Sequence, residues 1–443
     1  MAPKVGRKFK TRANRNPGSS SLGLALAFSF NYNLQEKLAM ATGAADTSQE
    51  KVLQCEETII DVTDVRDPKW APECCIYKVP KRLSKVKEEP YTPKLISIGP
   101  VHHSKDELKD MQMVKECYFK AFFLRTCKGQ KEFACIIEKN KDKICNCYAP
   151  EISQRIENEN FVKMVLLDSI FIIELFMRSN REEDENDYIL SKPWLKDGIM
   201  QDLILLENQL PFFILDKLYQ HYTSNPTFLE LACNYFFPNK EMRIEKQVKH
   251  FTDLQRNFFV RPTQKPGNPI EHRHSATKLD MAGLIFQKGG GEEKNRHLLH
   301  VEIQKDNKTE DLFRNLMALE QCHYPNEAYI CNYILLLDFL INSKDDVELL
   351  VEEGIIVNSL GSNKAVADMV NKLGHEIVEK NSYYYNVAED LNKYYRNWWN
   401  KNMESLKTVY FRDIWRGTAT VVGIIVLLVT VMNFLRPFVF KHI

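Results

Sequence analysis

The sequence predicts a mainly α-helical protein with a small β-sheet or hairpin (α+β), followed by one C-terminal transmembrane helix. Three observations predict this class. Capping residues repeatedly precede apolar runs with helical spacing, as Ser343 and Asp346 do before VELLVEE. One short segment, 297–304, alternates apolar and polar residues as a strand does. An uncharged apolar run lies near the end of the chain, at 418–435.

The composition indicates a folded protein and excludes some classes. Hydrophobic residues make up 44% of the 443 residues and charged residues 27%, proportions ordinary for globular proteins. The net charge is +1, which gives no long-range attraction to polyanions, so we expect no nucleic-acid partner. Since domains hold roughly 100–200 residues, the length suggests two or three units.

We expect six segments along the chain. They are a disordered basic leader (1–50), a helical N-terminal lobe (51–237), a loop or crossing segment (238–275), an α+β C-terminal lobe (276–411), the transmembrane helix (418–435) and a short tail (436–443). The apolar run SLGLALAFSF in the leader leaves a weak signal peptide or transit sequence as an alternative.

The eleven cysteines show no regular spacing. An odd count in a long chain argues against a disulfide framework. The adjacent pair Cys74 and Cys75 and the C-x-C pair Cys145 and Cys147 lack the arrangement of a zinc site. We therefore expect small, buried, apolar cysteines in a reducing compartment, and neither a metal nor a cofactor.

The first part of the body predicts an extended segment and then a helix. Pro90 and Pro93 hold the chain extended, and 94–98 is a strand-like run that ends at Gly99 and Pro100. Ser104 and Glu107 form a capping box that opens a helix. The apolar face expected for this helix contains Leu108, Met111, Cys117, Phe119 and Phe122.

The segment 151–180 predicts a second helix with a long apolar stripe. Asp168 and Glu174 interrupt the stripe, and we expect each to face water or to pair with a basic side chain. The acidic run 181–188 lacks the glycine and the distal glutamate of a calcium loop, so it is predicted to be a solvated linker.

The densest apolar stretch before the C-terminal run is 202–219. Pro211 disfavours helix at the residue before it, so one helix should end near Asn208 and another begin at Pro211. Glu207, Asn208 and Gln209 fall at this junction. One interpretation is that they satisfy unpaired backbone groups, and the other is a buried polar site with Glu207 as its acid.

In the C-terminal lobe we expect two strands, 282–287 and 297–304, joined as a loose hairpin by KGGGEEKNR. No Gly-Lys-Ser/Thr follows the glycines, so this is not a phosphate-binding loop. Helical signals follow in order: Thr309 as a cap, an i,i+4 pair of Glu310 with Arg314, the Ser343 box closed by Gly354, Ser362 as a cap, and a long polar-aromatic helix over 383–411.

The apolar run 418–435 is predicted to be a membrane anchor. Its 18 residues cover about 27 Å as a helix, close to the hydrocarbon thickness of about 30 Å. Trp415 precedes it, at the place of an interfacial aromatic residue. The alternative is a buried core segment. If the leader is not a signal, the body stays cytosolic, although the nearly symmetric flanking charges do not set the orientation.

We find no complete catalytic or metal-binding motif, so the catalytic residues are unknown. His375 with Glu376 gives half of a paired-histidine zinc motif, which is typical of an exposed helical turn. The pairs His102–His103 and His272–His274 lack partners for a full metal shell. A dispersed set of acids could converge on a hydrolytic site: Asp202, Glu207, Asp253, Asp280 and Glu320.

Several phrases occur together in a fixed order: YTP at 91–93, ISIGPVHH at 96–103, DLILLENQLPFF at 202–213, HFTDL at 250–254, SATKL at 275–279 and RNLMALEQ at 314–321. Over residues 55–435 the chain thereby resembles the plant family called domain of unknown function 247, or uncharacterised protein family 0481. It departs from that pattern in a short segment between His297 and Thr309, and in FRDIW before the final helix.

The resemblance implies a plant protein with one C-terminal membrane span. Members are linked to pollen–pistil self-incompatibility in grasses, but no biochemical activity is established for the family at large, so no catalytic residue carries over. We expect a protein-interaction or signalling/recognition module with an unidentified protein partner, held in a membrane, preferentially the plasma membrane. The alternative function is a membrane-tethered hydrolase that uses the acid set.

Overall fold

The computed structural model describes residues 70–443 except for 104, 154–159, 182–185, 239–243, 245, 261–264, 272–273, 287–300, 304–307, 376, 401, 403–405, 407–413 and 440–443. The leader 1–50, the connecting hairpin KGGGEEKNR and the cap Ser104 thus lie outside the described residues. The described part is mostly helical with one small sheet, which confirms the predicted fold class.

The N-terminal half is built from short and medium helices. They are α1 (Lys81–Ser84), α2 (Asp110–Thr126), α3 (Gln130–Glu138), α4 (Lys141–Asn146), α5 (Pro150–Ser153), α6 (Phe161–Asn180), α7 (Pro193–Leu203), α8 (Phe212–Tyr222), α9 (Phe228–Phe236) and α10 (Phe251–Phe259). Two 3₁₀ turns, Glu89–Tyr91 and Asp106–Leu108, precede α2.

Helix α6 is the centre of this half. Its apolar residues cover most of its circumference, and a helix that is apolar nearly all round is stable only when other elements surround it. Helices α2, α3, α8 and α9 all pack against it. The stripe predicted for 151–180 is therefore confirmed, although the described helix begins at Phe161.

The buried face of α2 differs from the predicted one. Met111 and Phe122 are buried as expected, but Cys117 is exposed and Phe119 only partly buried. Lys115 and Tyr118 take inward positions instead. The prediction missed them because it admitted only apolar residues to the face, whereas both side chains find buried polar partners.

The segment before α2 is not extended as predicted. Pro90 and Tyr91 lie in a 3₁₀ turn, and 94–98 forms no strand. A strand would need a neighbouring backbone to receive its amides, but Asp202 and Asn208 side chains bind them here. The predicted strand is therefore wrong.

Of the two helix boundaries predicted near Pro211, one is wrong and one is confirmed. Helix α7 ends at Leu203 rather than near Asn208, and 205–207 form a turn. Helix α8 begins directly after Pro211, as predicted. Within 238–275, expected to be a loop or crossing, Phe251–Phe259 forms helix α10, opened by the side chain of His250, which accepts from the Asp253 amide.

The C-terminal half contains both strands. Its elements are α11 (Ala276–Met281), β1 (Val301–Ile303), α12 (Lys308–His323), α13 (Tyr329–Leu340), α14 (Lys344–Glu352), β2 (Ile356–Asn358), α15 (Asn363–Gly374), α16 (Tyr385–Arg396) and α17 (Ile414–Val439).

The sheet is parallel and not a hairpin. Strand β1 pairs with β2, with Val301 opposite Ile356. The described residues 282–286, predicted as its partner, form a turn and irregular chain. Segment 297–304 does contain a strand, but α12, α13 and α14 separate it from its partner, a long-range pairing that sequence alternation alone does not reveal.

Most predicted helix signals in this half are confirmed. Ser343 and Asp346 form a reciprocal capping box, Ser362 accepts from the Ala365 amide, and Gly354 follows α14 with φ +67°. Two signals are wrong. Thr309 lies inside α12 and does not cap it, and α16 ends at Arg396, so no single helix runs over 383–411.

Two hydrophobic cores lie in the described part. The first is centred on α6, and the second on α13, α14 and α15. Helix α12 contributes to both, with Ala318 and Leu319 in the first core and Phe313, Leu316 and Met317 in the second. The described residues from Trp70 onward group into one unit.

The cysteines are more varied than predicted. Cys74, Cys75, Cys147 and Cys331 are buried and fit the expectation. Cys117, Cys127 and Cys135 are exposed, so the expectation of burial is wrong for them. All cysteines in the described part are free thiols.

Helix α17 stands apart from both cores. Its stretch Gly417–Leu435 spans 19 residues with a mean hydropathy of 2.3, and none of it is buried in the protein. By length and composition it can cross a membrane.

Candidate functional site

Asn208 joins the run 94–98 to the end of α7. Its side-chain oxygen accepts from the Ile98 amide at 2.7 Å. Its side-chain nitrogen donates to the carbonyls of Ile96 and Asp202, at 3.0 and 2.9 Å. Every bond goes to a backbone group, so the interpretation that this junction satisfies unpaired backbone groups is confirmed for Asn208.

Gln209 does the same on the other side of the turn. Its side-chain nitrogen donates to the carbonyls of Leu203 and Leu205, at 2.6 and 2.7 Å. Its side-chain oxygen accepts from the Phe251 amide at 2.9 Å. Gln209 thereby links the end of α7 to the start of α10, two elements far apart in sequence.

Asp202, at the end of α7, holds the run 94–98. Its carboxylate accepts from the amides of Lys94, Leu95 and Ile96, with shortest distances of 2.9, 2.6 and 2.8 Å. Burial raises the pKa of Asp202, and the three amide donors oppose that shift. This carboxylate is occupied by the backbone, which is a structural role.

Glu207 makes a buried pair with a histidine. Its Oε2 lies 3.3 Å from Nε2 of His102, and its Oε1 accepts from the Val79 amide at 2.7 Å. Neither ring nitrogen of His102 has a well-aligned hydrogen bond, although the residue is only 5% exposed. A carboxylate beside an imidazole contains the parts of a general base, so this pair is the strongest candidate for chemistry in the described part.

Charged and aromatic side chains lie close to this pair. Tyr91 hydrogen-bonds to Arg314, and Arg314 donates to Glu310 at 2.8 Å. Lys87 also donates to Glu310, at 3.1 Å. Burial alone would raise the pKa of Glu310, but the hydrogen bonds from Arg314 and Lys87 outweigh it and lower the pKa below its usual value. The predicted Glu310–Arg314 pair is confirmed.

The chain beside this group lines an open cleft of about 520 Å³. Its lining residues are Glu88, Glu89, Thr92, Pro93, Lys94, Lys105, Glu107 and Leu108. Neither His102 nor Glu207 is among them. The cleft therefore presents both signs of charge at the surface, and the candidate general base does not line it.

A second, partly buried chain of polar groups ends on the segment 74–77. Lys249 has only donors, so His323 Nε2, at 2.7 Å, accepts from it. The proton of His323 then lies on Nδ1, which donates to the Tyr77 oxygen at 2.7 Å, and the Tyr77 hydroxyl donates to the Cys74 carbonyl at 3.0 Å. Burial, and then Lys249, lowers the pKa of His323 to about 4, so the ring is neutral at pH 7.

His250 reaches the same segment. The Asp253 amide donates to its Nδ1 at 3.3 Å, so Nε2 carries the proton and donates to the Cys75 carbonyl at 3.0 Å. Burial lowers the pKa of His250 to about 4. Side chains therefore bind backbone groups of the segment 74–79 at three places: the Cys74 carbonyl, the Cys75 carbonyl and the Val79 amide.

Buried ion pairs also join the helices. Lys115 on α2 donates to Asp168 on α6 at 2.6 Å and to the carbonyl of Ser97, and Gly99 donates its amide to Asp168 at 2.9 Å. Sequence analysis missed Lys115. Its signal is a lysine that lies on the inward face of α2 with Val114 and Tyr118, opposite a helix whose apolar stripe contains the acids Asp168 and Glu174.

The acidic run after α6 is not only a solvated linker. Asp187 is buried, accepts from Arg178 at 2.9 Å, and accepts from the amides of Ile189 and Leu190, each at 2.8 Å. Arg178 also donates to Glu174 at 2.9 Å. The expectation that Glu174 pairs with a basic side chain is confirmed, whereas the linker prediction is wrong at Asp187.

The acid set has separate partners. Besides Asp202 and Glu207, Asp253 accepts from the Lys249 amide at 3.0 Å and the Tyr324 hydroxyl at 2.8 Å. Glu320 accepts from Arg256 Nε and the Cys331 amide, each at 2.9 Å. Asp280 lies partly buried on α11. No hydrogen bond among these described residues joins two of the acids, so the geometry gives no shared hydrolytic centre.

The histidine pairs do not form metal sites in the described part, where no group of three or more candidate ligands occurs. His102 is buried and His103 exposed. His274 stacks on Tyr395 with ring centroids 3.8 Å apart, and His272 lies outside the described residues. His375 is exposed just after α15, while Glu376 is not described.

Comparison with known proteins gives one family and no fold relative. Residues 76–429 match the family DUF247, described as plant protein of unknown function. The UPF0481 protein At3g47200 of Arabidopsis thaliana is 26% identical over 416 residues, covering 81% of this chain and 85% of that protein. A second Arabidopsis thaliana UPF0481 protein, At3g02645, is 22% identical over 477 residues, covering 80% and 88%. No solved structure matches significantly.

Proposed function

This chain belongs to the DUF247 family of plant proteins of unknown function, and from that premise we propose that it is a membrane-anchored protein-interaction module of signalling or recognition. The observation that carries the proposal is the exposed apolar helix α17. Nineteen helical residues cover about 28 Å, close to a hydrocarbon core of about 30 Å. Since none of the stretch packs against the body, lipid is the medium that suits it.

Tryptophans near α17 support a membrane location. Trp415, in its first turn, is 85% exposed. Trp398 and Trp399 are 66% and 72% exposed, and their rings meet edge to face at 4.8 Å. Tryptophan is enriched at membrane interfaces, because its ring is apolar and its N–H needs a polar partner. Three exposed tryptophans within 18 residues fit a segment that lies at a membrane surface.

The interaction role rests on how the body uses its polar groups. The buried carboxylates of Asp202, Asp253 and Glu320 bind backbone amides or structural partners, which makes the body a fixed scaffold. The cleft at 88–94 and 105–108 offers charged side chains of both signs at its surface. Such a surface suits the polar side chains of another protein, so we propose it as the recognition surface.

We do not extend the proposal to hydrolysis. The Asp202 carboxylate accepts hydrogen bonds from three backbone amides, and the Asp253 carboxylate accepts from one amide and one tyrosine hydroxyl. Glu207 with His102 is a buried pair with base-like parts, but neither residue lines the cleft. No specific observation therefore favours a reaction.

The location we propose is the plasma membrane, with the body in the cytosol. The free thiols of the described part support a reducing compartment. Cys117, Cys127 and Cys135 are exposed, so their labelling can show on which side of the membrane the body lies. A membrane-impermeant maleimide applied to intact plant protoplasts should leave them unlabelled until the cells are opened. Labelling before opening would place the body outside the cell.

The experiment for the interaction role is affinity capture of the full-length protein from gently solubilised membranes, beside a version truncated before Gly417. We expect a specific protein that the full-length chain retains and that Lys105→Glu, in the cleft, releases. The control is Lys217→Glu, at a lysine that contacts Asn140 away from the cleft. Capture of only general chaperones, or equal capture by both variants, would contradict the proposed surface.

A further inference from the structure

Cys75 and Cys147 lie side by side in two segments that run parallel. The amides of Cys75 and Ile76 both donate to the Cys147 carbonyl at 2.9 Å. The Ala149 amide donates to the Ile76 carbonyl at 2.9 Å, and Ile76 pairs with Tyr148 as an isolated parallel bridge. Cys75 and Cys147 are therefore the residues directly before the two bridge partners.

This placement suits a disulfide. Paired strands lie about 4.7–4.9 Å apart, within the Cα separation of about 4.4–6.8 Å that a disulfide spans. Since each cysteine precedes its bridge residue by one position, both side chains point to the same face. Both residues are buried, with 4% and 5% exposed, and the Cys147 thiol donates to the Lys143 carbonyl at 3.3 Å.

The two thiols differ in acidity. The hydrogen bond from Cys75 lowers the pKa of Cys147, against the effect of burial. The same hydrogen bond and burial raise the pKa of Cys75. Burial raises the pKa of the neighbouring Cys74 to about 11. Cys147 is therefore the thiol of this group that ionises first, and the thiolate is the reactive form.

We propose that Cys75 and Cys147 are a modification site that hydrogen peroxide converts into a disulfide. The Cys147 thiolate attacks one peroxide oxygen, the O–O bond breaks, and sulfenic acid and hydroxide form. Cys75 then loses its proton, and its sulfur attacks the Cys147 sulfur, which releases hydroxide. The hydroxides take up the thiol protons as water, so two thiols lose two electrons and one peroxide becomes two waters.

The bond would act on the segment 74–79. This segment carries Tyr77, the partner of His323, and Val79, the partner of Glu207. A disulfide from Cys75 to Cys147 would fix the segment covalently to the connection between α4 and α5. Oxidation would thus strengthen the contacts between the first core and α12, which ends at His323.

The test uses the full-length protein in detergent micelles, reduced and then treated with hydrogen peroxide. Free thiols are blocked under denaturing conditions, and the protein is digested without reduction. We expect mass spectrometry to find one linked species joining the peptides of Cys75 and Cys147, lighter by two hydrogens than their sum. Reduction should separate the peptides, and the oxidised protein should melt at a higher temperature than the reduced one.

Matched variants assign the bond, because Cys74 shares a peptide with Cys75 and Cys145 shares one with Cys147. Cys74→Ser and Cys145→Ser should keep the link, whereas Cys75→Ser, Cys75→Ala and Cys147→Ser should lose it. A link that vanishes in Cys74→Ser or Cys145→Ser would overturn the assignment. Wild-type protein whose Cys75 and Cys147 both remain free, or whose Cys147 is over-oxidised without a link, would overturn the proposal.

Discussion

A buried charge in this protein becomes costly when its charged partner is removed, and the pair of Lys115 with Asp168 shows this most clearly. In Lys115→Met, Asp168 would keep only the Gly99 amide, so we expect a loss of about 3–5 kcal/mol in the free energy of unfolding. Denaturant unfolding of the full-length protein in detergent measures it. Lys109→Met, at the exposed pair with Asp106, is the control and should change nothing measurable. Equal effects of the two substitutions would show that burial of Asp168 is not costly.

The double variant Lys115→Met with Asp168→Asn tests the reason. An asparagine can still accept from the Gly99 amide, and it leaves no unpaired charge in the core. We therefore expect the double variant to be more stable than Lys115→Met alone. A double variant that is less stable would mean that the ion pair itself, and not the stranded carboxylate, accounts for the loss.

His250 should make stability depend on pH. Its pKa falls from 6.5 to about 4 on burial, so between these values the unfolded chain binds the proton and the folded protein does not. The stability from neutral His250 is complete above pH 6.5 and is lost as the pH falls towards 4, on the order of 3 kcal/mol. Unfolding curves between pH 7 and 4 should therefore be flatter for His250→Asn, which keeps the helix cap. Parallel curves for the two proteins would rule out this histidine as a source of the dependence.

At the residue scale, the sequence could show which polar groups sit among apolar ones but not where their partners are. Glu174 and Asp168 stood out because they interrupt an apolar stripe. Lys115 had the same signature and was overlooked because a lysine on a helix is usually solvated. Asp187 had none, since it lies in an acidic run and only the fold brings Arg178 and Tyr118 to it.

At the scale of elements, the close approach of the 94–99 run to the turn before α8 should tolerate no side chain at Gly99. Its φ is +72°, and an added Cβ would collide with the Gln209 carbonyl oxygen. Gly361 has a similar φ, +78°, but nothing within 4 Å of such a Cβ. Gly361→Ala should therefore cost about 1–2 kcal/mol from backbone strain alone, and Gly99→Ala clearly more. Thermal unfolding compares them, and similar losses would mean that the two segments can move apart.

Elements were predictable where the signal is local. The Ser343 capping box and the Pro211 start depend on residues within one turn, and the structure has them where expected. The run 94–98 and the strand at 301–303 failed in their pairing, because their partners are a carboxylate at Asp202 and a strand at 356–358. Periodicity identifies an apolar face but not the element that covers it.

For the whole molecule, the proposed anchor gives a direct expectation. Leu427 lies near the middle of the stretch Gly417–Leu435. Arginine there costs about 2.5–3.5 kcal/mol on an insertion scale where leucine contributes favourably. We expect wild-type protein to resist alkaline extraction of membranes, and Leu427→Arg to shift towards the soluble fraction. Leu427→Ile is the control and should stay in the membrane. Extraction of the wild type itself would remove the membrane part of the proposed function.

The fold class and the terminal helix were predictable at this scale, since composition and length determine them. The candidate site was not. Glu207 was identified by its place at a helix junction, but His102 and Arg314 come from segments more than 100 positions away in the sequence. Such convergence depends on tertiary packing, which no local pattern contains.

Helix α12 has a further consequence for how this protein can change over evolution. Its residues 318–319 belong to one core and Phe313, Leu316 and Met317 to the other. Recombination near residue 275 would combine α12 with a first half from another protein. The face of α12 that contains Ala318 and Leu319 would then no longer match the core that it packs against. We therefore expect substitutions on one side of α12 to be constrained by the core on its other side.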